Sequence, residues 1–185
     1  MYTNQEIEKM LTTIGVIKEG HFRRVSGRHA NKYVQCARLF EHSNIAETMC
    51  RLLVEQLSSY SFDVVMSPAI GGVILGYEVS RQLKIRNIYP ERKNGALVLS
   101  RGFTLKKGEK VLILEDEITT GTSVRETIEL VNACGGEVVC IGCLVDKSNG
   151  KAVFDHPYHP LVRTTVDNYS TNHCPLCEKN IAFDN

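Results

Sequence analysis

The sequence lacks the features that would point to a membrane, repeat or nucleic-acid-binding protein. It contains no internal repeat and no low-complexity tract, and no apolar run approaches the roughly 20 residues that a transmembrane helix needs. An excess of one charge is also missing, because the net charge is +1. A near-neutral chain has no overall attraction to nucleic acid or to an anionic membrane. We therefore predict neither partner, and any anion-binding site has to be local.

A secretory signal is also missing from the first residues, MYTNQEIEKML, which are polar and have no apolar core. The seven cysteines are an odd number, and several lie in apolar stretches. Both observations are typical of reduced thiols rather than of a disulfide framework. A cytoplasmic protein is the simplest interpretation.

Among the cysteines, the motif Cys174-Pro-Leu-Cys177 is the one that indicates more than core packing. A structural zinc ion usually takes four ligands, and the two thiols with the adjacent His173 are too few. The sequence favours a C-terminal turn with two free thiols, and metal binding stays open as the alternative.

Length and patterning predict an α/β protein. The 185 residues are enough for one domain with a substantial core, which we place over residues 1–185. Strand-like and helix-like stretches alternate from Ser43 to Val145, and such alternation predicts a central, mostly parallel sheet flanked by helices.

Several elements can be placed individually. Thr3 and Glu6 are spaced as a capping box before an amphipathic first helix, and Ser43 is a candidate cap for the second helix. Residues 20–40 predict a hairpin of short strands, and Phe62–Met66 predicts a buried strand.

The most informative stretch is VLILEDEITTGTS, residues 111–123. Its apolar start predicts a buried strand that ends at two carboxylates, Glu115 and Asp116. Ser123 and Glu126 are spaced as a capping box for the following helix. The loop between strand and helix offers hydroxyls and one glycine: Thr119, Thr120, Gly121, Thr122 and Ser123. A helix N-terminus preceded by such a loop suits a phosphate, whereas carboxylates suit sugar hydroxyls or Mg²⁺.

A second loop repeats this anion-binding pattern. After the strand at Phe62–Met66, a run of small residues leads into a third helix. That run is Ser67, Pro68, Ala69, Ile70, Gly71 and Gly72. Its backbone N–H groups could bind an anion, although glycines required only for close helix packing are the alternative.

The segment 91–110 is basic and rich in glycine, which predicts an exposed, mobile hairpin. Arg92 and Lys93 are candidates for binding a leaving anion there. A solvated basic face is the alternative interpretation.

The stretch 111–123 resembles the motif that binds 5-phosphoribosyl-1-pyrophosphate (PRPP) in type I phosphoribosyltransferases. Residues 20–40 resemble the hood of the orotate phosphoribosyltransferase family, through Phe22, Ser26-Gly27-Arg28 and Tyr33. The resemblance implies the type I phosphoribosyltransferase fold, with a small N-terminal hood to which the C-terminal tail also contributes.

The resemblance also implies roles for the candidate residues. Glu115 and Asp116 would hold the ribose hydroxyls, and the required Mg²⁺ would come with PRPP, at most through water to these acids. The loop 119–123 would bind the 5′-phosphate, and the loop 67–72 the pyrophosphate, often with a cis peptide bond. Arg92 and Lys93 would assist the leaving group, reaching into the partner's site in a homodimer. Thr119 and Lys147 would bind orotate.

Three departures from the family pattern are visible. Val25 stands where many relatives have a lysine that reaches PRPP, so Arg24 or Lys32 would have to replace it. Lys147 stands where similar enzymes have an arginine that pairs with the orotate carboxylate. Glu117 follows the two acids where relatives have an aliphatic residue; our hypothesis is that it pairs with Arg92 or Arg125.

The implied activity is transfer of the phosphoribosyl group from PRPP to orotate, which gives orotidine 5′-phosphate and pyrophosphate in pyrimidine biosynthesis. The PRPP motif does not specify the acceptor, so a purine or another base is one alternative. A regulatory protein that binds PRPP without catalysis is the other.

Overall fold

The computed structural model describes residues 2–184. Its helices are α1 (Asn4–Thr13), α2 (Ser43–Gln56), α3 (Gly72–Leu83), α4 (Thr122–Ala133) and α5 (Pro175–Glu178). Its strands are β1 (Ile17–Arg23), β2 (His29–Val34), β3 (Val64–Met66), β4 (Arg86–Ile88), β5 (Pro90–Lys93), β6 (Ala96–Leu99), β7 (Lys110–Ile118), β8 (Glu137–Asp146), β9 (Tyr158–Arg163) and β10 (Asn168–Tyr169). Short 3₁₀ helices span Cys36–Glu41 and Thr171–His173.

A five-stranded sheet forms the centre, in the order β4-β3-β7-β8-β9. Every neighbouring pair in it is parallel, as the alternation of strands and helices predicts. Parallel strands joined by helices bring their carboxyl ends to one edge, where ligands bind in such folds. That edge, here called the carboxyl edge, receives both candidate anion loops.

Alternate side chains of the central strands enter two cores. Val65, Leu112 and Leu114 pack with α1, α2 and α3 on one face, and Val64 and Ile113 pack with α4 on the other. A strand has a side-chain period of two, so a continuous apolar run supplies both faces. This explains why the central strands read as uninterrupted hydrophobic segments.

The predicted hairpin of residues 20–40 is confirmed. Strand β1 pairs with β2, and β10 from the tail adds to β2, so that three antiparallel strands form a separate small sheet. We call these three strands the hood. The pair β5-β6 forms a further two-stranded hairpin, in the basic segment where an exposed hairpin is predicted.

The capping box of Thr3 and Glu6 is present at the start of α1, whereas two predicted caps are wrong. Helix α2 begins at Ser43 itself, after His42, and no side chain caps it. Helix α4 begins at Thr122, after Gly121, so Ser123 lies inside the helix and makes no cap. No helix among residues 2–184 is long and apolar enough to cross a membrane.

Candidate active site

Strand β7 continues through the two acids rather than ending before them. Glu115 pairs with Cys143 and Ile118 with Asp146 of β8, so the strand runs four residues further than the sequence predicts. The extension buries both carboxylates: Glu115 is 8% exposed and Asp116 is 9% exposed. Because neighbouring residues of a strand point to opposite sides, the two acids face different parts of the carboxyl edge.

Glu115 faces the hydroxyl loop. A cavity of about 140 Å³ is lined by this side chain and by the loop that follows β7, with mostly polar walls. Its lining comprises Glu115, Glu117, Ile118, Thr119, Thr120, Gly121, Thr122, Ser123 and Val124. The structure thus brings together the complete predicted phosphate loop and one of the two acids, at the N-terminus of α4, whose first N–H groups have no partner within the helix.

Gly121 is required for the shape of this loop. Its φ of +78° lies in the left-handed region, which costs a residue with a side chain about 1–2 kcal/mol. A Cβ at this position would also lie 2.7 Å from the Phe154 ring. Both the backbone conformation and the packing therefore favour glycine.

Arg125 supports the same loop from outside, although the sequence did not indicate this role. Its guanidinium donates to the carbonyl oxygens of Thr120 (2.7 Å) and Val153 (3.1 Å) and lies 5.2 Å from the centre of the Phe154 ring. Arg125 therefore fixes the Thr120 carbonyl and links the loop to the segment around Val153.

Asp116 faces the second anion loop. A Cβ on Gly71 would lie 2.4 Å from the nearest carboxylate oxygen of Asp116, so only glycine permits this approach. The Ala69–Ile70 peptide bond in the loop is cis, and α3 begins at Gly72. The two candidate loops are thereby linked through adjacent residues of one strand.

Three acidic side chains, Glu115, Asp116 and Glu117, are consecutive here. Burial raises the pKa of Glu115 well above its usual range, and the neighbouring Asp116 and Glu117 raise it further. Burial likewise raises the pKa of Glu117, against the opposing effect of Lys147. Glu115 and Glu117, whose ionisation is disfavoured in the free protein, are suited to a ligand that brings positive charge or hydroxyl donors.

Glu117 pairs with Lys147, so the hypothesis of a partner at Arg92 or Arg125 is wrong. The Lys147 Nζ donates to Glu117 Oε1 at 2.8 Å, and the lysine side chain is 7% exposed. The other oxygen, Oε2, is buried and has no partner in the described chain. The two departures at positions 117 and 147 are therefore one ion pair, which the register of β7 and β8 places at the carboxyl edge.

Arg92 is bound elsewhere, to Glu126 of α4. It lines a cavity of about 420 Å³ together with Ala69 and Ile70 of the second loop and with Arg101 of the basic segment. Lys93 is exposed and forms no ion pair within residues 2–184. The structure thus brings Arg92 close to the predicted pyrophosphate loop, whereas Lys93 points to solvent.

In the hood, the two candidate replacements for the missing lysine differ. Lys32 is paired with Glu8 at 2.8 Å and Glu19 at 3.3 Å, so it is occupied by structural contacts. Arg24 has a buried Nε without a partner in the described residues, and its charge lowers the pKa of Glu117. Val25 is fully exposed at the tip of the hairpin. Of the two cations, Arg24 is the one near the site.

Fold and site together define an α/β protein with two candidate anion loops at one end of a parallel sheet, and comparison with known proteins shows its family. A family model described as "Phosphoribosyl transferase domain" matches residues 36–172. The chain is 44% identical to an orotate phosphoribosyltransferase of Caldanaerobacter subterraneus over 177 residues, covering 96% of this chain and 93% of the relative. It is 45% identical to that of Thermotoga maritima over 175 residues, covering 95% and 94%.

A solved orotate phosphoribosyltransferase from Aeropyrum pernix has the same fold, with a TM-score of 0.73 at 23% identity, covering 85% of this chain and 93% of that one. The chain belongs to the phosphoribosyl transferase family, and within it to the orotate phosphoribosyltransferases. The fold and family predicted from the sequence are confirmed.

Proposed function

We propose that the protein transfers the 5-phosphoribosyl group of PRPP to a ring nitrogen of orotate, which yields orotidine 5′-phosphate and pyrophosphate. The observation that supports this most directly is the polar cavity where Glu115 meets the complete loop 119–123. The relatives at 44% and 45% identity supply the acceptor, since their names specify orotate.

The proposed roles follow from charge and position. The 5′-phosphate binds to the first N–H groups of α4 and to the loop hydroxyls, because a helix N-terminus carries partial positive charge. Asp116 and Glu115 accept hydrogen bonds from the ribose hydroxyls. These contacts hold the sugar while its bond to the pyrophosphate breaks, and positioning of this kind lowers the barrier without a covalent intermediate.

The pyrophosphate binds at the loop of Ser67, Pro68, Ala69, Ile70, Gly71 and Gly72. Gly71 and Gly72 bring the backbone close to it, and Arg92 at the rim of the adjoining cavity adds positive charge. Stabilising the leaving group in this way is an electrostatic contribution to catalysis. For Arg92 to act, it has to exchange Glu126 for the pyrophosphate.

The acid pair also fits the Mg²⁺ that accompanies PRPP. Two buried carboxyl groups form an oxygen-donor set, and oxygen ligands are those that Mg²⁺ prefers. The raised pKa of Glu115 means that a nearby cation would favour release of its proton. Glu115 and Asp116 would hold the ion through water. When bound, it neutralises charge on the departing pyrophosphate.

Lys147 and Thr119 are proposed to bind orotate. Lys147 is held at the carboxyl edge beside the loop, because its N–H donates to the Ile118 carbonyl at 2.9 Å. In the free protein its ammonium is neutralised by Glu117, so orotate has to compete with an internal carboxylate. A single ammonium pairs with a carboxylate less specifically than an arginine does.

A homodimer is part of the proposal. Ile70, Ile74 and Tyr77 are exposed on one side of the second loop and α3, at 88%, 54% and 62%. Ile74 and Tyr77, three residues apart, share one face of α3, and Ile70 lies in the loop before that helix. An exposed apolar patch of this kind marks an interaction surface. A second copy covering it would place the adjacent Arg92 hairpin close to the subunit boundary. We also propose that residues 1–185 act as one domain, since the tail completes the hood.

One assay tests the activity and its rivals. The purified protein is mixed with PRPP and Mg²⁺ and, separately, with orotate, adenine, hypoxanthine or uracil, and released pyrophosphate is measured. We expect release with orotate alone. Pyrophosphate release with another base would show that this base, and not orotate, is the acceptor. PRPP binding without pyrophosphate release would favour a regulatory protein. The molar mass from light scattering tests the dimer.

A further inference from the structure

Four potential metal ligands meet where the C-terminal tail packs on the hood, and none of them lines the cavity of the proposed active site. They are His21, His29, Cys174 and Cys177, here called the Cys₂His₂ cluster. Their four ligand atoms all lie within 4.8 Å of one another. The first three residues are buried, and only Cys177 is exposed. The sequence predicts too few ligands around Cys174 and Cys177, but the fold adds His21 and His29. His173, the neighbour in sequence, is not part of the cluster.

The hood places the two histidines on one face. Arg23 of β1 is directly opposite His29 of β2. The register of β1 is irregular between Glu19 and Phe22, and the His21 and His29 rings meet edge to face with their centres 4.9 Å apart. The cysteines come from the other end of the chain, where Cys174 immediately precedes α5 and Cys177 lies within it.

The distances match those of a tetrahedral zinc site. His21 Nε2 lies 3.1 Å from His29 Nδ1, 3.6 Å from Cys174 Sγ and 3.7 Å from Cys177 Sγ, and Cys177 Sγ lies 3.3 Å from His29 Nδ1. With Zn–N and Zn–S bonds of about 2.05 and 2.3 Å, tetrahedral geometry requires separations of roughly 3.3 Å between two nitrogens and 3.6 Å between nitrogen and sulfur.

Hydrogen bonds alone do not account for this convergence. His21 Nδ1 lies 2.8 Å from the Ile181 carbonyl oxygen, to which it has to donate, so Nε2 retains only a lone pair. A neutral imidazole nitrogen accepts one good hydrogen bond, yet three groups converge on it. One cation at the centre would satisfy all four inward-facing atoms.

The surroundings of His21 resemble the outer shell of a metal site. A ligating histidine usually donates its second N–H to a carbonyl or carboxylate, which fixes the ring, and the Ile181 carbonyl has that position. The tail continues across the ligands. The centre of the Phe183 ring lies 4.0 Å from the centre of the His21 ring and 4.9 Å from that of the His29 ring. The Asp184 carboxylate accepts a hydrogen bond from the backbone N–H of His21 at 2.8 Å.

We propose that the Cys₂His₂ cluster binds one structural zinc ion, which fastens the C-terminal tail to the hood. Four protein ligands leave no open position, so the ion is structural rather than catalytic. The proposal does not depend on which base the enzyme uses.

The test uses the full chain, purified without a histidine tag and under reducing conditions from zinc-supplemented cells. We expect about one zinc ion per chain by mass spectrometry of the metal, as a closed four-ligand site requires. Replacement by Co²⁺ should give the visible absorption of a tetrahedral ion and a thiolate-to-cobalt band in the near ultraviolet. Cys174→Ser and His29→Ala should both lose the zinc and these bands.

Two controls are matched to the variants. His173→Ala changes a histidine that is exposed and lies outside the cluster, although it is adjacent to Cys174 in sequence. Cys134→Ser removes a thiol outside the cluster. Both should retain full zinc. Because a cluster variant could fail to fold, the wild-type chain is also treated with a chelator. Its melting temperature and the resistance of its tail to protease should fall, and added zinc should restore both, as expected for a ligand that binds only the folded state.

Three results would overturn the proposal. One is a folded wild-type chain that contains no zinc and gives no tetrahedral cobalt spectrum. Another is a cobalt spectrum that persists in Cys174→Ser. The third is a Cys174–Cys177 disulfide that remains in the reduced, purified protein, which would make the pair a redox element.

Discussion

The carboxyl edge draws its side chains mainly from residues 67–72 and 115–123, two stretches of fewer than ten residues each, whereas the hood joins distant parts of the chain. His21 and Cys174, which meet in the Cys₂His₂ cluster, are 153 positions apart. At the carboxyl edge, the backbone of one loop and one helix start holds most of the groups. In the hood, side chains from three segments have to converge. A site of the first kind can be recognised in a sequence, and a site of the second kind cannot.

This difference predicts separate consequences of substitution. Changes at the carboxyl edge should alter kinetics and leave the metal content of the hood intact, whereas changes in the cluster should first alter stability and metal content. The predictions below test the carboxyl-edge half of this comparison.

The largest effect is expected for Asp116→Asn. The substitution changes a buried carboxyl group that faces Gly71 and that we propose holds the ribose hydroxyls. We expect kcat/KM to fall by about 10²- to 10³-fold, the range for losing one electrostatic contact in a transition state. Steady-state pyrophosphate release measures it. Asp155→Asn, at an exposed position outside the carboxyl edge, is the control, and an equal loss there would contradict the assignment.

Lys147→Met should raise the KM for orotate by about 10- to 100-fold, which corresponds to one hydrogen bond to a charged group. The KM for PRPP should change little. Separate titrations of the two substrates measure the contrast, with Lys151→Met on the following turn as control. A parallel rise of both KM values would show that the Glu117–Lys147 pair supports the fold rather than the acceptor.

Gly121→Ala should raise the KM for PRPP about tenfold and lower the melting temperature by several degrees, because it adds a left-handed penalty and a collision with Phe154. Gly108→Ala is matched, since Gly108 has a φ of +77° and a Cβ added there would meet no atom within 4 Å. The excess loss at position 121 measures the collision. Equal losses of stability would mean that Phe154 moves away freely.

The smallest effect is expected for Glu115→Gln, as a pH-dependent change in stability. The pKa of Glu115 is raised in the folded state, so the folded state binds its proton more tightly than the unfolded chain does. Stability from this group is therefore lost as the pH rises above the ordinary carboxyl range. Glutamine cannot ionise, so the variant should melt a few degrees higher than the wild type at about pH 8 and at the same temperature at about pH 5. An equal increase in melting temperature at both pH values would exclude ionisation of Glu115 as the cause. Glu129→Gln, at an exposed position, is the control.

Much of the carboxyl edge could be predicted because it depends on local order. The run of four aliphatic residues, two acids and a hydroxyl loop is contiguous, so the cavity around 115–124 follows from the chain itself. The exact end of β7 could not be predicted, because acids normally favour a strand end. Pairing with β8 keeps Glu115 to Ile118 in the sheet, and the burial that results is what raises the pKa of Glu115.

The partners of individual charges were not predictable. Glu117 was expected to meet Arg92 or Arg125, but the register of β7 against β8 places Lys147 beside it, and Glu126 holds Arg92 instead. The predicted cap of α4 was wrong for a similar reason. Gly121, in a left-handed conformation, precedes the first helical residue, Thr122, and no side chain caps the helix. Such outcomes depend on tertiary register, which no spacing rule contains.

The distance between the two halves of the hood also has a consequence for the order of folding. Strands β1 and β2 are adjacent in sequence and can pair as soon as they leave the ribosome, but β10 and both cysteines follow more than 130 residues after β2. Contacts across such separations form late, because the intervening chain has to be ordered first. The hood is therefore expected to be completed after the sheet and its phosphate loop have formed, with the tail as the last segment to dock.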